Sequence, residues 1–106
     1  MVGFAVIYRV RVHAAMEEAY VAAWCRITER LRSERGGLGS RLHRGPDGIW
    51  YAYAQWPSAE ARQQAFAQGP IDPEAEATMR AAIAERLPEL ALDPVADFLI
   101  ALPERA

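Results

Sequence analysis

The opening of the chain alternates between two sides. Phe4, Val6, Tyr8, Val10 and Val12 fall on one face of an extended segment, and its β-branched and aromatic content predicts a strand over residues 4–12. From about Ala15 the period lengthens. Tyr20, Trp24, Ile27 and Leu31 recur at helical spacing while Glu17, Arg26, Glu29, Arg30 and Glu34 fall off that stripe, which predicts a long amphipathic helix ended by Gly36-Gly37. The runs Leu38 to Arg44 and Ile49 to Trp56 flank Gly45-Pro46-Asp47-Gly48, whose residues suit a tight turn, and so predict a β-hairpin. With residue 44 set opposite residue 49, His43 stands beside Trp50 and Arg41 beside Ala52. The other hairpin face, with Leu38, Leu42, Ile49, Tyr51 and Tyr53, is the more apolar and the better suited to helices.

Ser58 caps a short helix expected to run to about Ala67, with Glu60 in its first turn, and Gly69-Pro70 breaks it. Asp72-Pro73-Glu74 restarts a helix whose buried side is marked by Met79, Ile83 and Leu87. After a loop over residues 88–93, the apolar run Pro94 to Leu102 has the length of a last strand. The order β, α, β, β, α, β with right-handed crossovers predicts an α+β, ferredoxin-like fold: a four-stranded antiparallel sheet with helices on one face. A chain of 106 residues closes one core, so residues 1–106 are expected to form a single domain.

The second sheet face carries a further expectation. Ala5 and Ile7 oppose Phe4, Val6 and Tyr8, and in the last run Leu99 and Ala101 oppose Phe98 and Ile100, so both faces read as apolar. No segment is left to cover the second one. A second copy of the sheet, packed isologously, is the expected cover, giving a homodimer through the sheet face; partial exposure of small residues is the alternative.

Composition then removes several chemistries. The chain has no lysine, which excludes Schiff-base and pyridoxal phosphate attachment, and no asparagine. Its net charge is −2 and its arginines are interleaved with glutamates, so no nucleic-acid partner is expected. The longest apolar runs, Phe4 to Tyr8 and Phe98 to Leu102, fall far short of the roughly 20 residues of a membrane span. No secretory signal pattern opens the chain, and a cytoplasmic protein without membrane contact is expected. Cys25 is the single cysteine and His13 and His43 lack metal-ligand spacing, so neither a metal nor another cofactor is anticipated.

Four segments carry a family resemblance: Ala5-Val-Ile-Tyr-Arg-Val-Arg-Val12, Ala23-Trp24, Gly37-Leu-Gly-Ser-Arg-Leu-His43, and Tyr51-Ala-Tyr-Ala-Gln-Trp-Pro-Ser-Ala-Glu-Ala61. Over nearly the whole chain the sequence resembles the antibiotic biosynthesis monooxygenase family. The resemblance implies two sheets packed as a dimeric α+β barrel, with a pocket between sheet and helices in each subunit. It also implies a range of activities, among them aromatic polyketide oxygenation without metal or flavin, quinol oxygenation and haem degradation. In the haem-degrading branch an asparagine on strand one, and a tryptophan and a histidine on the second helix, form the site; the matching positions here are Tyr8, Phe66 and about Glu76. Asparagine also belongs to the polyketide-oxygenase site, and this chain has none.

Two groups of residues are candidates for ligand contact. On the face assigned to the helices, Tyr8, Tyr51 and Tyr53 would meet Trp24 and Phe66, either as a packed aromatic core or as the wall of a cavity for a polar aromatic ligand. Arg41, His43 and Trp50 form the second group, as a dimer interface or as a site with His43 as its near-neutral base. The functional expectation is a cofactor-independent monooxygenase acting on a small aromatic or quinone-like compound. The alternative is a non-catalytic dimeric module that binds a small molecule or simply assembles.

Overall fold

The computed structural model describes residues 2–100. Strand β1 (Phe4–Val12) leads through a single 3-10 turn into helix α1 (Glu17–Glu34), followed by β2 (Ser40–Arg44), β3 (Trp50–Trp56), α2 (Ala59–Ala67), α3 (Pro73–Ala82) and β4 (Ile83–Leu92). The four strands form one antiparallel sheet in the order β2-β3-β1-β4, the ferredoxin-like arrangement expected from the sequence. Among the described residues no helix is long and apolar enough to cross a membrane.

Local chemistry sets the helix starts. Ser58 Oγ accepts the Ala61 N–H at 3.0 Å and begins α2. Asp72 Oδ1 accepts the Ala75 N–H at 3.1 Å, and Glu76 reaches back to the Asp72 N–H at 2.9 Å, so the two carboxylates satisfy donors that α3 would otherwise leave open. Asp72 is buried and faces Arg26 and Arg30 of α1, which ties α3 to α1. The Ala75 N–H, helped by Arg26 and Arg30, holds its carboxyl below the usual carboxylate range.

The hairpin departs from the expected register by one residue. Gly45 N–H donates to Ile49 O at 2.8 Å and Gly48 N–H to Gly45 O at 3.1 Å, so Pro46, Asp47 and Gly48 alone form the loop, with Gly48 at φ 81°. This is a type I turn closed by a left-handed residue, and it sets Arg44 rather than His43 opposite Trp50. A one-residue slip reverses every side chain. Trp50, Ala52, Ala54 and Trp56 therefore face the helices, while Tyr51 and Tyr53 stand on the far face with Arg41 and His43. The expected face is overturned for β3, while Leu42 of β2 meets the helix-side core as expected, and the Arg41, His43, Trp50 group is split across the sheet.

The last strand also lies elsewhere than expected. Met79, Ile83 and Leu87 are four residues apart, a spacing that suits a helix and, being even, is also compatible with a strand, although a register shift between Arg11 and Val12 leaves Ile83 on the helix side and Leu87 on the other. The helix stops at Ala82; Ile83 is extended at φ −80°, ψ 120°, and residues 83–92 pair along β1 from Val12 to Ala5. A bulge between the Ile7–Leu90 and Arg9–Leu87 pairs accommodates Pro88, which has no N–H to give to the ladder. Pro94 to Ile100 forms no strand, and Val95, Phe98, Leu99 and Ile100 are exposed; the end of that run, Ala101 and Leu102, lies outside the described residues.

The helices cover one sheet face. By register, Leu87, Leu90 and Leu92 share the opposite face with Ile7, Tyr51 and Tyr53, and Leu90 and Leu92 remain 43% and 40% exposed. The second face is therefore mixed: an apolar patch of Ile7, Leu87, Leu90 and Leu92, from β4 residues other than those the sequence pattern suggested, lies beside Arg9, Arg11, Arg41 and His43 on the same face.

Candidate functional site

The core is tightly closed at one end only. There Val10, Tyr20, Trp50 and Ala82 pack together, with the Tyr20 and Trp50 rings edge to face at 5.6 Å between centroids. Towards the other end the sheet presents Ala52 and Ala54, whose methyl groups do not reach the α1 stripe of Trp24, Ile27 and Leu31. Small side chains on the floor and large ones on the roof leave a cavity of about 430 Å³ between sheet and helices. That is within the range of small-molecule sites.

Its walls are mostly apolar by area, with polar and charged side chains set among them. Tyr8 projects into it from the centre of the sheet; Trp24, Trp56 and Phe66 wall it, with Phe66 46% exposed and edge to face with Trp56 at 5.7 Å. One buried donor there has no partner among the described residues: the Trp56 indole N–H. A buried donor without an acceptor marks a place where a ligand or water completes the bonding.

Tyr8 has a structured partner. Arg62 Nε donates to the Tyr8 hydroxyl at 3.0 Å while its terminal nitrogen holds Glu89 at 3.1 Å, and the guanidinium lies over the Tyr8 and Phe66 rings at 5.5 and 5.3 Å. Because the hydroxyl oxygen accepts from Arg62, its own proton is left to donate, and it has no acceptor among the described residues. Burial raises the Tyr8 phenol above its ordinary value, against the lowering by Arg62, so it carries its proton at neutral pH. Burial likewise raises Tyr20. The chain Glu89, Arg62, Tyr8 is therefore a polarised hydrogen-bond donor aimed into an apolar cavity.

Of the first candidate group the structure gathers Tyr8, Trp24 and Phe66 at the cavity and places Tyr51 and Tyr53 outside it. Tyr51 is engaged with Asp47 at 2.7 Å, and Tyr53 accepts from Gln55 at 3.4 Å. His43 is exposed on the far face with Nδ1 at 3.2 Å from Tyr51 O, so it cannot serve this cavity as a base. Arg62 was not foreseen. The available signal was its position four residues before Phe66, which puts a cation on the inward face of α2.

Comparisons agree with this geometry. The sequence pattern of the antibiotic biosynthesis monooxygenase family matches residues 3–71, more than half of the chain. No curated protein sequence matches it. Among solved structures, a monooxygenase from the gene ActVA-Orf6 of Streptomyces coelicolor, in complex with nanaomycin D, is 23% identical with a TM-score of 0.72, covering 94% of each chain. SnoaB, a cofactor-independent oxygenase from Streptomyces nogalater, is 16% identical with a TM-score of 0.75, covering 92% of this chain and 98% of its own. Rv0793 from Mycobacterium tuberculosis is 18% identical with a TM-score of 0.73, covering 91% and 98%. These likenesses show a shared fold, and the match over residues 3–71 shows the lineage: the chain belongs to the antibiotic biosynthesis monooxygenase family.

Proposed function

We propose that the protein is a cofactor-independent monooxygenase that binds a small aromatic or quinone-like compound in the cavity between sheet and helices. The observation that carries this reading is the cavity of about 430 Å³ with Tyr8 held by Arg62 as a donor in an aromatic wall. A substrate that reacts with oxygen unaided must itself supply the electrons. A ring methylene activated by neighbouring phenol and carbonyl groups can do so: its carbanion gives electrons to O₂, one oxygen atom becomes the new carbonyl and the other leaves as water. Tyr8 then serves the oxyanion that develops on the ring, with Trp24 and Phe66 holding the ring in place.

In this reading the unit is a homodimer in the cytoplasm, each chain a single domain. Ile7, Leu87, Leu90 and Leu92, with Tyr51 and Tyr53, meet a second copy across the uncovered face. The test is oxygen uptake with a panel of polycyclic phenols and hydroquinones, without added metal or flavin, in ¹⁸O₂. Uptake with one labelled atom in the product supports the reading; binding without uptake across the panel returns the protein to a small-molecule-binding module.

A further inference from the structure

Four elements each send one arginine to the same cavity: Arg32 from α1, Arg62 from α2, Arg80 from the last turn of α3 and Arg86 from β4. Among the described residues the only carboxylate lining it is Glu76, and that group already accepts the Asp72 N–H. Arg62 is balanced by Glu89. Arg80 and Arg86 make no ion pair or side-chain hydrogen bond among the described residues. Two like charges at the rim of an apolar opening, Arg80 and Arg86, give it a positive potential that favours an anion. Among the described residues the cavity wall also holds no imidazole to take a proton from a bound ligand.

Resting on the ligand pocket described above, we propose that this cavity takes its aromatic ligand as an anion, an ionised phenol, enol or carboxylate, with Arg62, Arg80 and Arg86 supplying the countercharge. Positive charge beside the ligand lowers the pKa of an acidic hydroxyl, which places the reactive anion in the site without a protein base. Tyr8 donates to the same anionic oxygen, because its proton is the one hydroxyl hydrogen that Arg62 leaves open. Trp24 and Phe66 select the ring, and the arginines select its charge.

Calorimetric titration of the full chain with two matched pairs of probes tests this. The pairs are 2-hydroxy-1,4-naphthoquinone, ionised at neutral pH, against its neutral methyl ether, and 2-naphthoate against 2-naphthamide. The first pair reads an ionised hydroxyl, the second a carboxylate. In at least one pair the anion is expected to bind about tenfold tighter, a preference set by partly solvated charges. The preference is expected to shrink with added salt and in the double variant Arg80→Gln, Arg86→Gln, whose exposed positions leave the fold unaffected. Equal affinity within both pairs, or no binding of any probe, overturns the inference. Oxygen uptake measured in parallel separates the two readings: anion preference without uptake by any substrate removes the oxygenase and leaves the anion site, whereas uptake without charge preference does the reverse.

Discussion

Replacing Tyr8 by Phe and Arg62 by Met, singly and together, isolates the polar link on which the donor role of Tyr8 depends. Tyr8→Phe keeps the ring and deletes the oxygen that Arg62 reaches at 3.0 Å. The donor is charged but its side chain is 22% exposed, and solvent screening brings the loss down to that of an ordinary hydrogen bond, about 1 kcal/mol. Arg62→Met deletes the same bond and also the half-exposed Glu89 pair, worth roughly 0.5 kcal/mol, together with the two ring contacts. With about 0.5 kcal/mol for those contacts on partly exposed rings, the single loss is about 2 kcal/mol. The double variant should lose about 2 rather than about 3 kcal/mol, because the shared bond is counted once, giving a coupling of about 1 kcal/mol. In a domain of this size each 1 kcal/mol moves Tm by about 4–8 °C, so the four proteins are readily separated by urea and thermal unfolding. Additivity to within about 0.3 kcal/mol would show that the link does not form in solution and would remove the reason for treating Tyr8 as a preorganised donor.

Ile7→Asp is expected to convert a dimer of twice the chain mass into monomer or to unfold it, since it places an unpaired charge on the apolar patch of the second sheet face at a cost of several kcal/mol; light scattering after size exclusion reads the result, and a wild-type monomer contradicts the interface. Asp72→Asn keeps a capping side chain but removes the charge facing Arg26 and Arg30. Because the folded-state pKa of Asp72 is lowered, its contribution is present above the ordinary value near about 4 and is lost as pH falls through the folded-state value, so wild-type and variant melting curves should converge in acid; a gap independent of pH refutes this account. Because the family resemblance sets Tyr8, Phe66 and about Glu76 where the haem-degrading branch has its asparagine, tryptophan and histidine, bound haem should keep its absorbance spectrum in the presence of a reductant, and its spectral conversion would contradict that reading.

The helices and the first three strands were legible because their signals are local: a period of 3.6 in α1, Ser58 and Asp72 as N-caps, and alternation in β1. Two errors have a common cause in even spacing and loop length. Pro46-Asp47-Gly48 fits a three-residue loop as well as Gly45 to Gly48 fits a four-residue one, and the difference of one residue decides whether Tyr51 and Tyr53 or Trp50, Ala52 and Ala54 look at the helices. Met79, Ile83 and Leu87 fit helix and strand alike, and only pairing with β1, a contact some 80 residues away in sequence, resolves them. The cavity was beyond local signals as well. It exists because Ala52 and Ala54 lie under Trp24, Ile27 and Leu31, a relation that depends on the register the sequence left open. Arg62 acquires its meaning only once Tyr8 and Glu89 from distant strands are brought to it.

The central claim, that the cavity is an oxygenase site in which Tyr8 is the donor, is tested most directly by turnover in Tyr8→Phe. Oxygen uptake is measured for wild type and variant on the best substrate of the phenol and hydroquinone panel, with unfolding curves recorded on the same preparations. The account predicts a loss of about 10²-fold in kcat, typical of removing one oxyanion donor, while stability falls by only about 1 kcal/mol. Unchanged turnover in a variant that has lost that stability would return Tyr8 to the packed core and contradict the claim.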